Sequence, residues 1–178
     1  MIIAISGKAG SGKSTVAKEL SRKLGLKHYS IGDLMREMAR ERKISLQELG
    51  KIAEKDKSID KELDERQISL GKSKDNFVID GRLAAFFIPN ADIKVFLDCK
   101  DDVRAERIMK DERKDESSKN IKELIKKIGE REDSERKRYR KYYNMDYCNR
   151  KLYDEVIDTT KIDAKAVVEK IIKLAKEK

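Results

Sequence analysis

A glycine-rich stretch near the start of the chain restricts its possible folds more than any other feature. Residues 7–15 fit the pattern Gly-x-x-x-x-Gly-Lys-[Ser/Thr], with glycine at the two fixed glycine positions. Successive backbone N–H groups in such a turn converge on an anion, and the helix that follows adds its positive N-terminal end. The pattern therefore predicts a loop that binds the phosphates of a nucleoside triphosphate. The predicted loop consists of Gly7, Lys8, Ala9, Gly10, Ser11, Gly12, Lys13, Ser14 and Thr15.

The residues around the loop provide the context that the motif requires. Residues 1–6 form a short apolar run of the buried-strand type, and residues 14–24 place apolar side chains at helical spacing before Gly25. Within this strand–loop–helix unit, Lys13 is expected to reach the β- and γ-phosphates, and the Ser14 hydroxyl is expected to ligate Mg²⁺.

Buried-type strands alternate with helical segments along the rest of the chain. This alternation is typical of an α/β fold on a parallel sheet, and right-handed crossovers then place the phosphate loop at the carboxyl edge of the sheet. We predict a five-stranded parallel sheet flanked by helices, of the P-loop NTPase class. The four further strands are expected at residues 27–31, 76–80, 93–98 and 154–158.

Composition limits the classes of protein to which this chain can belong. It has 178 residues, a formal net charge of +9 and two cysteines, too few for a disulfide framework or a zinc site. Because the basic residues are interleaved with acids, a polyanionic nucleotide is a simpler partner than nucleic acid. No apolar run approaches the length of a membrane span. We expect a soluble, cytoplasmic protein with small-molecule substrates. We expect a monomer, with a dimer as the alternative.

Aspartates and arginines follow two of the predicted strands at the loop edge of the sheet. Asp33 and Asp80 can each hold Mg²⁺ through water, and the residues alone do not decide which of them dominates. Arg36 lies three residues beyond Asp33, and Arg82 lies two beyond Asp80. The forked guanidinium of an arginine suits a monophosphate, so both arginines are candidates for an acceptor site.

Two later helical segments carry further arginines that can meet phosphates. Arg107 shares a helix face with Arg104, whereas Arg131 and Arg138 lie two turns apart with Glu135 near them. In a chain this rich in charge, a solvated helix face is an equally good interpretation of both groups.

Taken together, these segments resemble the nucleoside monophosphate kinases, and within them the cytidylate kinases of the short archaeal type. The resemblance covers nearly the whole chain, and the combination of segments is more specific than the phosphate loop alone. It rests on residues 7–15, 30–37, 80–82, 103–107, 130–139 and 156–160.

The resemblance implies a single kinase domain that phosphorylates CMP, or also dCMP, with ATP and Mg²⁺. By position, Arg36 and Arg82 would hold the acceptor monophosphate, and Glu135 and Arg138 would lie near the pyrimidine nucleotide. Arg107 and Arg131 would bridge the phosphates of the two nucleotides and stabilise transfer together with Lys13. The implied parts are a core (1–33, 73–110 and 120–178), a monophosphate-binding insertion (34–72) and a short lid (about 111–119).

Two positions depart from the bacterial cytidylate kinases, so the base that is accepted is open. Those enzymes carry an aspartate after the Gly-Arg element, where this chain has Leu83, and often an aspartate where it has Glu135. An AMP or UMP kinase is the nearest alternative. Adenylate kinases, however, have a longer lid and a Gly-Phe-Pro-Arg element, whereas here Gly81 is followed directly by Arg82.

A GTP-binding switch protein is the alternative from a different class. Thr160-Lys161-Ile162-Asp163 fits the Thr-Lys-x-Asp pattern that can recognise guanine. Against this, no Asp-x-x-Gly occurs anywhere in the sequence, so a switch would lack its γ-phosphate sensor. The segment after the second strand is also helical, where a switch loop is expected.

Overall fold

The computed structural model describes residues 1–110 and 120–177, and every structural statement below refers to these residues. Within them, five strands alternate with eight helices. The strands are β1 (Ile2–Gly7), β2 (Lys27–Ser30), β3 (Phe77–Asp80), β4 (Ile93–Asp98) and β5 (Glu155–Asp158). The helices are α1 (Lys13–Leu24), α2 (Ile31–Glu41), α3 (Leu46–Ala53), α4 (Lys57–Ser73), α5 (Ala84–Phe87), α6 (Asp101–Lys110), α7 (Ile121–Tyr143) and α8 (Ala164–Glu177).

The strands form one parallel sheet in the order β2-β3-β1-β4-β5. The predicted five-stranded parallel sheet is therefore confirmed. β1 and β3 are neighbours in the sheet, but the helices that follow them pack on opposite faces. α1 follows β1 and packs on one face, and α5 follows β3 and packs on the other. A crevice opens at the carboxyl ends of strands where such a reversal occurs, and this is where parallel sheets bind ligands.

Alternating side chains of the strands fill a core on both faces of the sheet. Ile3 and Ile5 point to the face covered by α1 and α8, whereas Ile2 and Ala4 point to the face covered by α5. All four are 3% exposed or less. Burial on both faces explains why the strands read as continuous apolar runs.

Three helices between β2 and β3 pack around a hydrophobic cluster of their own. α2, α3 and α4 contribute Met38, Leu49 and Leu63 to it, among others. A capping box begins α3, because the Ser45 hydroxyl accepts from the Glu48 N–H and the Glu48 carboxylate accepts from the Ser45 N–H. Of these helices, α2 and α4 line the crevice together with the phosphate loop.

The structure differs from the predicted elements near α2 and at α5. The strand predicted at residues 27–31 ends at Ser30, because the Ser30 hydroxyl accepts from the Asp33 N–H and caps α2, which begins at Ile31. The short helix α5 was not predicted, since four residues are too few to show a helical period. The predicted lid at about 111–119 lies outside the described residues.

None of the helices described here has both the length and the apolar character that crossing a membrane requires.

Candidate active site

The phosphate loop joins β1 to α1 in a backbone shape that depends on its glycines. Gly12 adopts a φ of 92° just before α1, in the left-handed region that favours glycine. A Cβ on Gly7 would lie 2.3 Å from the Leu97 carbonyl oxygen, so only glycine allows β1 and β4 to approach this closely. The fixed glycines of the motif therefore have local structural causes.

Arg104 is a buried residue that contacts the phosphate loop. It is 3% exposed, donates to the Ala9 carbonyl oxygen at 3.0 Å, and pairs with Glu132 of α7 at 2.6 Å. The sequence placed Arg104 on one helix face with Arg107, as a candidate for contact with phosphates. The structure instead makes it a buried link between the loop, α6 and α7.

Lys13 lies at the floor of the cleft, with its ammonium 2.7 Å from the Lys8 carbonyl oxygen. Burial, followed by the positive charge of Arg82, lowers the pKa of Lys13 well below its ordinary value. An anionic ligand would oppose this shift by favouring the charged amine. The site therefore contains positive charge that its own acids do not balance.

Asp80 gathers three side chains at the ends of β2, β3 and α1. Its carboxylate accepts from Ser14 Oγ at 3.0 Å and from Ser30 Oγ at 3.3 Å, and it lies 2.7 Å from His28 Nε2. The parallel register pairs Ser30 with Asp80, which explains why these groups meet. A hydroxyl and a carboxylate are oxygen ligands of the kind Mg²⁺ prefers, so Ser14 and Asp80 fit this ion.

Asp33, the other predicted metal ligand, lies outside the main cleft. Its side chain is 54% exposed, pairs with Arg36 at 2.7 Å and lines a separate groove between α2 and α4. Arg36 itself lines the main cleft. The structure therefore brings together Ser14 and Asp80 but not Asp33.

Arg82 and Arg131 converge on one buried carboxylate, that of Glu135. Arg82 Nε lies 2.7 Å from Glu135 Oε2, and Arg131 Nε lies 3.0 Å from Glu135 Oε1. Burial disfavours the charged carboxylate, but the two arginines outweigh it and lower the pKa of Glu135 to about 2. Burial likewise disfavours the charged guanidinium of Arg82, yet Glu135 raises its pKa above the ordinary value. Both arginines line the cleft as fixed cations.

Arg107 lies on the donor side of the cleft. It donates to the Thr159 hydroxyl at 3.0 Å and to the Thr159 carbonyl at 2.7 Å. The Thr159 hydroxyl is in turn within 3.0 Å of the Ser11 carbonyl oxygen, so α6, the end of β5 and the phosphate loop are held together.

Arg138, which was predicted beside the substrate, has other partners. Its Nε lies 2.9 Å from Asp60 of α4, and Nη1 donates to the Gly50 carbonyl of α3. Arg138 is not among the residues that line the main cleft. Its buried guanidinium connects α7 with the three helices between β2 and β3.

One face of α4 contributes three polar side chains to the cleft that the sequence analysis missed: Asp60, Asp64 and Gln67. Asp64 accepts a hydrogen bond from Tyr143 of α7, and its burial raises its pKa to about 6. The spacing of 0, 4 and 7 residues marks one helix face, and this was the available signal. It was hidden in a helix in which eight of the 17 residues are charged.

The cleft therefore has two chemically different ends. Its volume is about 650 Å³, within the range of small-molecule sites. The phosphate loop and the arginines form a cationic end and floor, and the α4 side chains form an acidic, acceptor-rich end. The cations that line it are Lys13, Arg36, Arg82, Arg107 and Arg131.

Solved structures with a similar fold share little sequence identity with this chain. An uncharacterized protein from Eubacterium ventriosum superposes with a TM-score of 0.72 at 21% identity, covering 100% of this chain and 99% of that one. A shikimate kinase from Bacteroides thetaiotaomicron gives a TM-score of 0.67 at 19% identity, covering 99% and 98%. At this identity the likeness shows the fold alone.

Sequence relatives are much closer. A cytidylate kinase of Pyrococcus abyssi is 43% identical over 161 residues, which cover 90% of this chain and 86% of the relative. A cytidylate kinase of Methanosphaera stadtmanae is 40% identical over 178 residues, covering 100% and 99%. A third, from Methanocaldococcus jannaschii, is 43% identical over 171 residues, covering 94% and 93%. Because the sequence model of the cytidylate kinase-like family also matches residues 2–161, the chain belongs to this family of phosphotransferases.

Proposed function

We propose that this protein transfers the γ-phosphoryl group of ATP to the 5′-monophosphate of CMP, giving ADP and CDP. The observation that carries the proposal is the number of cations that line the cleft. In addition to Lys13 of the phosphate loop, four arginines line it: Arg36, Arg82, Arg107 and Arg131. A site for one triphosphate alone would not need so many cations.

The donor half consists of the phosphate loop and the residues behind it. Backbone N–H groups and the N-terminus of α1 bind the β- and γ-phosphates, and Lys13 adds a point charge. Arg107 approaches from the other side and is oriented by Thr159. These groups hold the γ-phosphate in a defined position before transfer.

The acceptor half is built on Arg36, Arg82 and Arg131. Glu135 holds the guanidinium groups of Arg82 and Arg131 in place, and Arg82 also donates to the Gly7 carbonyl oxygen at 2.8 Å. Pre-oriented cations of this kind stabilise charge as it develops, without reorganising. Arg131 lies between the halves and is suited to contact both nucleotides.

Ser14 and Asp80 would hold Mg²⁺, Asp80 through water, since its oxygens already accept from Ser14 and Ser30. When bound, the ion neutralises charge on the β- and γ-phosphates. Asp33 is not included in this proposal, because its carboxylate lies in the other groove.

The transfer needs alignment more than proton abstraction. The phosphate of CMP is already anionic near neutral pH, so it attacks without a strong general base. The transition state spreads negative charge over the moving phosphoryl group, and the clustered cations stabilise that charge. Movement of α2, α3 and α4 toward the loop would exclude water and bring the two phosphates together.

The test is ATP- and Mg²⁺-dependent phosphorylation of a panel of CMP, dCMP, UMP, AMP and GMP. We expect CMP to be the best ribonucleotide, and we expect Lys13→Ala to reduce its turnover by about a thousandfold or more. Lys23→Ala, which changes an exposed lysine of the same helix, is the control. No transfer to any member of the panel would refute the proposal, and faster transfer to AMP or UMP would replace the acceptor.

A GTP-binding switch is the less well supported alternative. Asp163, which would recognise guanine, lines the main cleft, but one of its carboxylate oxygens accepts from the Ala166 N–H at 2.8 Å in the first turn of α8. Hydrolysis of GTP at a rate that is independent of any added monophosphate would favour this alternative.

A further inference from the structure

The acidic end of the cleft contains a buried acceptor that the proposed transfer does not use. Gln67 of α4 is 2% exposed, yet its side chain lines the cleft. Within the described part of the chain, its Oε1 is fully buried and has no hydrogen-bond partner. A buried polar atom without a partner is costly, and it points to a ligand that supplies the missing group.

The orientation of the Gln67 amide is fixed by its neighbour. Nε2 donates to the Leu63 carbonyl oxygen at 3.4 Å, one turn earlier on α4. Turning the amide over would place Oε1 against that carbonyl, and two acceptors would then face each other. Gln67 therefore keeps one of its donors on the helix, and its buried Oε1 is the atom left to accept from a group that a ligand in the cleft would supply.

The position of the amide suits the base of the acceptor nucleotide. A Cβ on Gly81 would lie 3.7 Å from Gln67 Oε1, so the amide lies beside the strand end that leads into Arg82. Asp60 and Asp64 share this face of α4 and repel a phosphate, whereas Met35 and Leu63 offer apolar surface to a ring. The phosphate accordingly belongs with the arginines, and the uncharged base with α4.

We infer that Gln67 sets base specificity by accepting a hydrogen bond from the exocyclic amino group of cytosine. The inference rests on the proposed function. Uracil has the same shape but carries a carbonyl oxygen where cytosine carries this amino group. In a UMP complex the two oxygens would face each other, or the amide would turn over and lose its bond to Leu63. Asp60 and Asp64 add negative potential, which also favours an amino group.

The test is a four-way comparison of two proteins and two substrates. The substrates are CMP and the pyrimidin-2-one ribonucleoside 5′-monophosphate, which lacks only the amino group. The proteins are the wild type and Gln67→Met, which keeps the side-chain length and removes its polar atoms. For the wild type, we expect loss of the amino group to lower kcat/KM by at least about tenfold. For Gln67→Met, we expect the two substrates to differ by less than about threefold.

Gln47→Met is the matched control. Gln47 lies on α3 outside the main cleft and donates to Glu130, so this variant should keep the wild-type ratio. UMP gives a further comparison, in which the wild type should prefer the pyrimidin-2-one nucleotide over UMP because a hydrogen replaces the repelling oxygen. Thermal unfolding of each variant shows that it is folded, and Gln67→Leu serves if Gln67→Met is not.

The results separate this inference from the proposed function. If Gln67→Met slows CMP and its analogue equally, Gln67 is structural or contacts the ribose, and the inference is wrong although CMP remains the substrate. If the wild type transfers no phosphate to CMP, the proposed function is wrong. Calorimetry then measures the binding of both nucleotides to both proteins without turnover. If the ratio of the two affinities is the same in the wild type and in Gln67→Met, the role of Gln67 is overturned.

Discussion

Two buried ion pairs on α7 look alike but differ in their electrostatics. Arg82–Glu135 and Arg138–Asp60 have N–O distances of 2.7 and 2.9 Å, and each of the four side chains is 10% exposed or less. Glu135 has a second arginine, Arg131, and its pKa falls to about 2. Burial raises the pKa of Asp60, because Arg138 alone does not offset the loss of water. The further cations around Glu135 thus shift its pKa in the opposite direction from that of Asp60.

The two pairs also face different parts of the molecule. Arg82 lines the cleft, whereas Arg138 contacts Gly50 of α3 and Asp60 of α4. One pair pre-orients a cation for a ligand, and the other attaches those helices to α7. The variants below should therefore separate effects on catalysis from effects on stability.

The largest effect on stability is expected from Arg138→Met. It leaves Asp60 buried without its cation, which costs about 3–5 kcal/mol in the free energy of unfolding. Well below the melting temperature, kcat/KM for CMP should fall by less than about tenfold, since Arg138 does not line the cleft. Chemical denaturation and steady-state kinetics measure the two quantities. Arg140→Met on the exposed side of α7 is the control, and a loss of activity with unchanged stability would reverse the roles assigned to the pairs.

Arg82→Met should act mainly on catalysis. Loss of this charge-stabilising donor raises the barrier to transfer by about 2–4 kcal/mol, or roughly 30- to 1,000-fold in kcat/KM. Stability should change less than in Arg138→Met, because Glu135 keeps Arg131 as a partner. Arg82→Lys, which retains charge without the planar fork, should give an intermediate rate. An unchanged rate and CMP affinity in Arg82→Met would exclude Arg82 from the acceptor site.

The two carboxylates should give opposite pH dependences of stability. Glu135 has a lowered folded pKa, so its contribution is fully present above about pH 4.5 and is lost as the pH falls toward 2. The stability difference between wild type and Glu135→Gln should therefore shrink by up to about 3 kcal/mol over that range. Unfolding measured at a series of pH values tests this, and a difference that does not vary with pH would show that the arginines do not hold the carboxylate charged.

Asp60→Asn provides the opposite case. Because the folded pKa of Asp60 is raised, the wild type loses stability relative to this variant as the pH rises through the titration of Asp60. The same pH series shows directly whether the stability of the wild type relative to Asp60→Asn falls or rises with pH. A slope of the same sign as for Glu135→Gln would remove the distinction between the two pairs.

The smallest effect is expected at an exposed pair on α4. Arg66 and Glu62 lie 2.9 Å apart with side chains 54% and 42% exposed. Arg66→Met should change the free energy of unfolding by less than about 1 kcal/mol, because solvent screens the pair and holding two long side chains costs entropy. A loss comparable to that in Arg138→Met would mean that burial is not what distinguishes the pairs.

Much of the donor side could be predicted from spacing in the sequence. The loop residues are consecutive, and Ser14 and Asp80 were both expected at the carboxyl edge, where parallel strands must end together. The acceptor side was predicted less well. The resemblance placed Arg138 near the pyrimidine nucleotide, and helical spacing put it on one face with Arg131. Neither shows that this side chain meets α3 and α4, because spacing does not say which neighbouring element a helix face meets.

Patterns of neighbouring residues along the chain were therefore sufficient to predict the phosphate loop, the strand–helix alternation and the five-stranded parallel sheet. These follow from short-range backbone geometry and from burial on both faces of each strand. Three-dimensional packing was needed to pair Glu135 with Arg82 and Arg131, to separate Asp33 from Asp80, and to bury an acceptor on Gln67. Those properties depend on which distant residues exclude water from a side chain, and no local pattern encodes the solvent exposure of one charge among many.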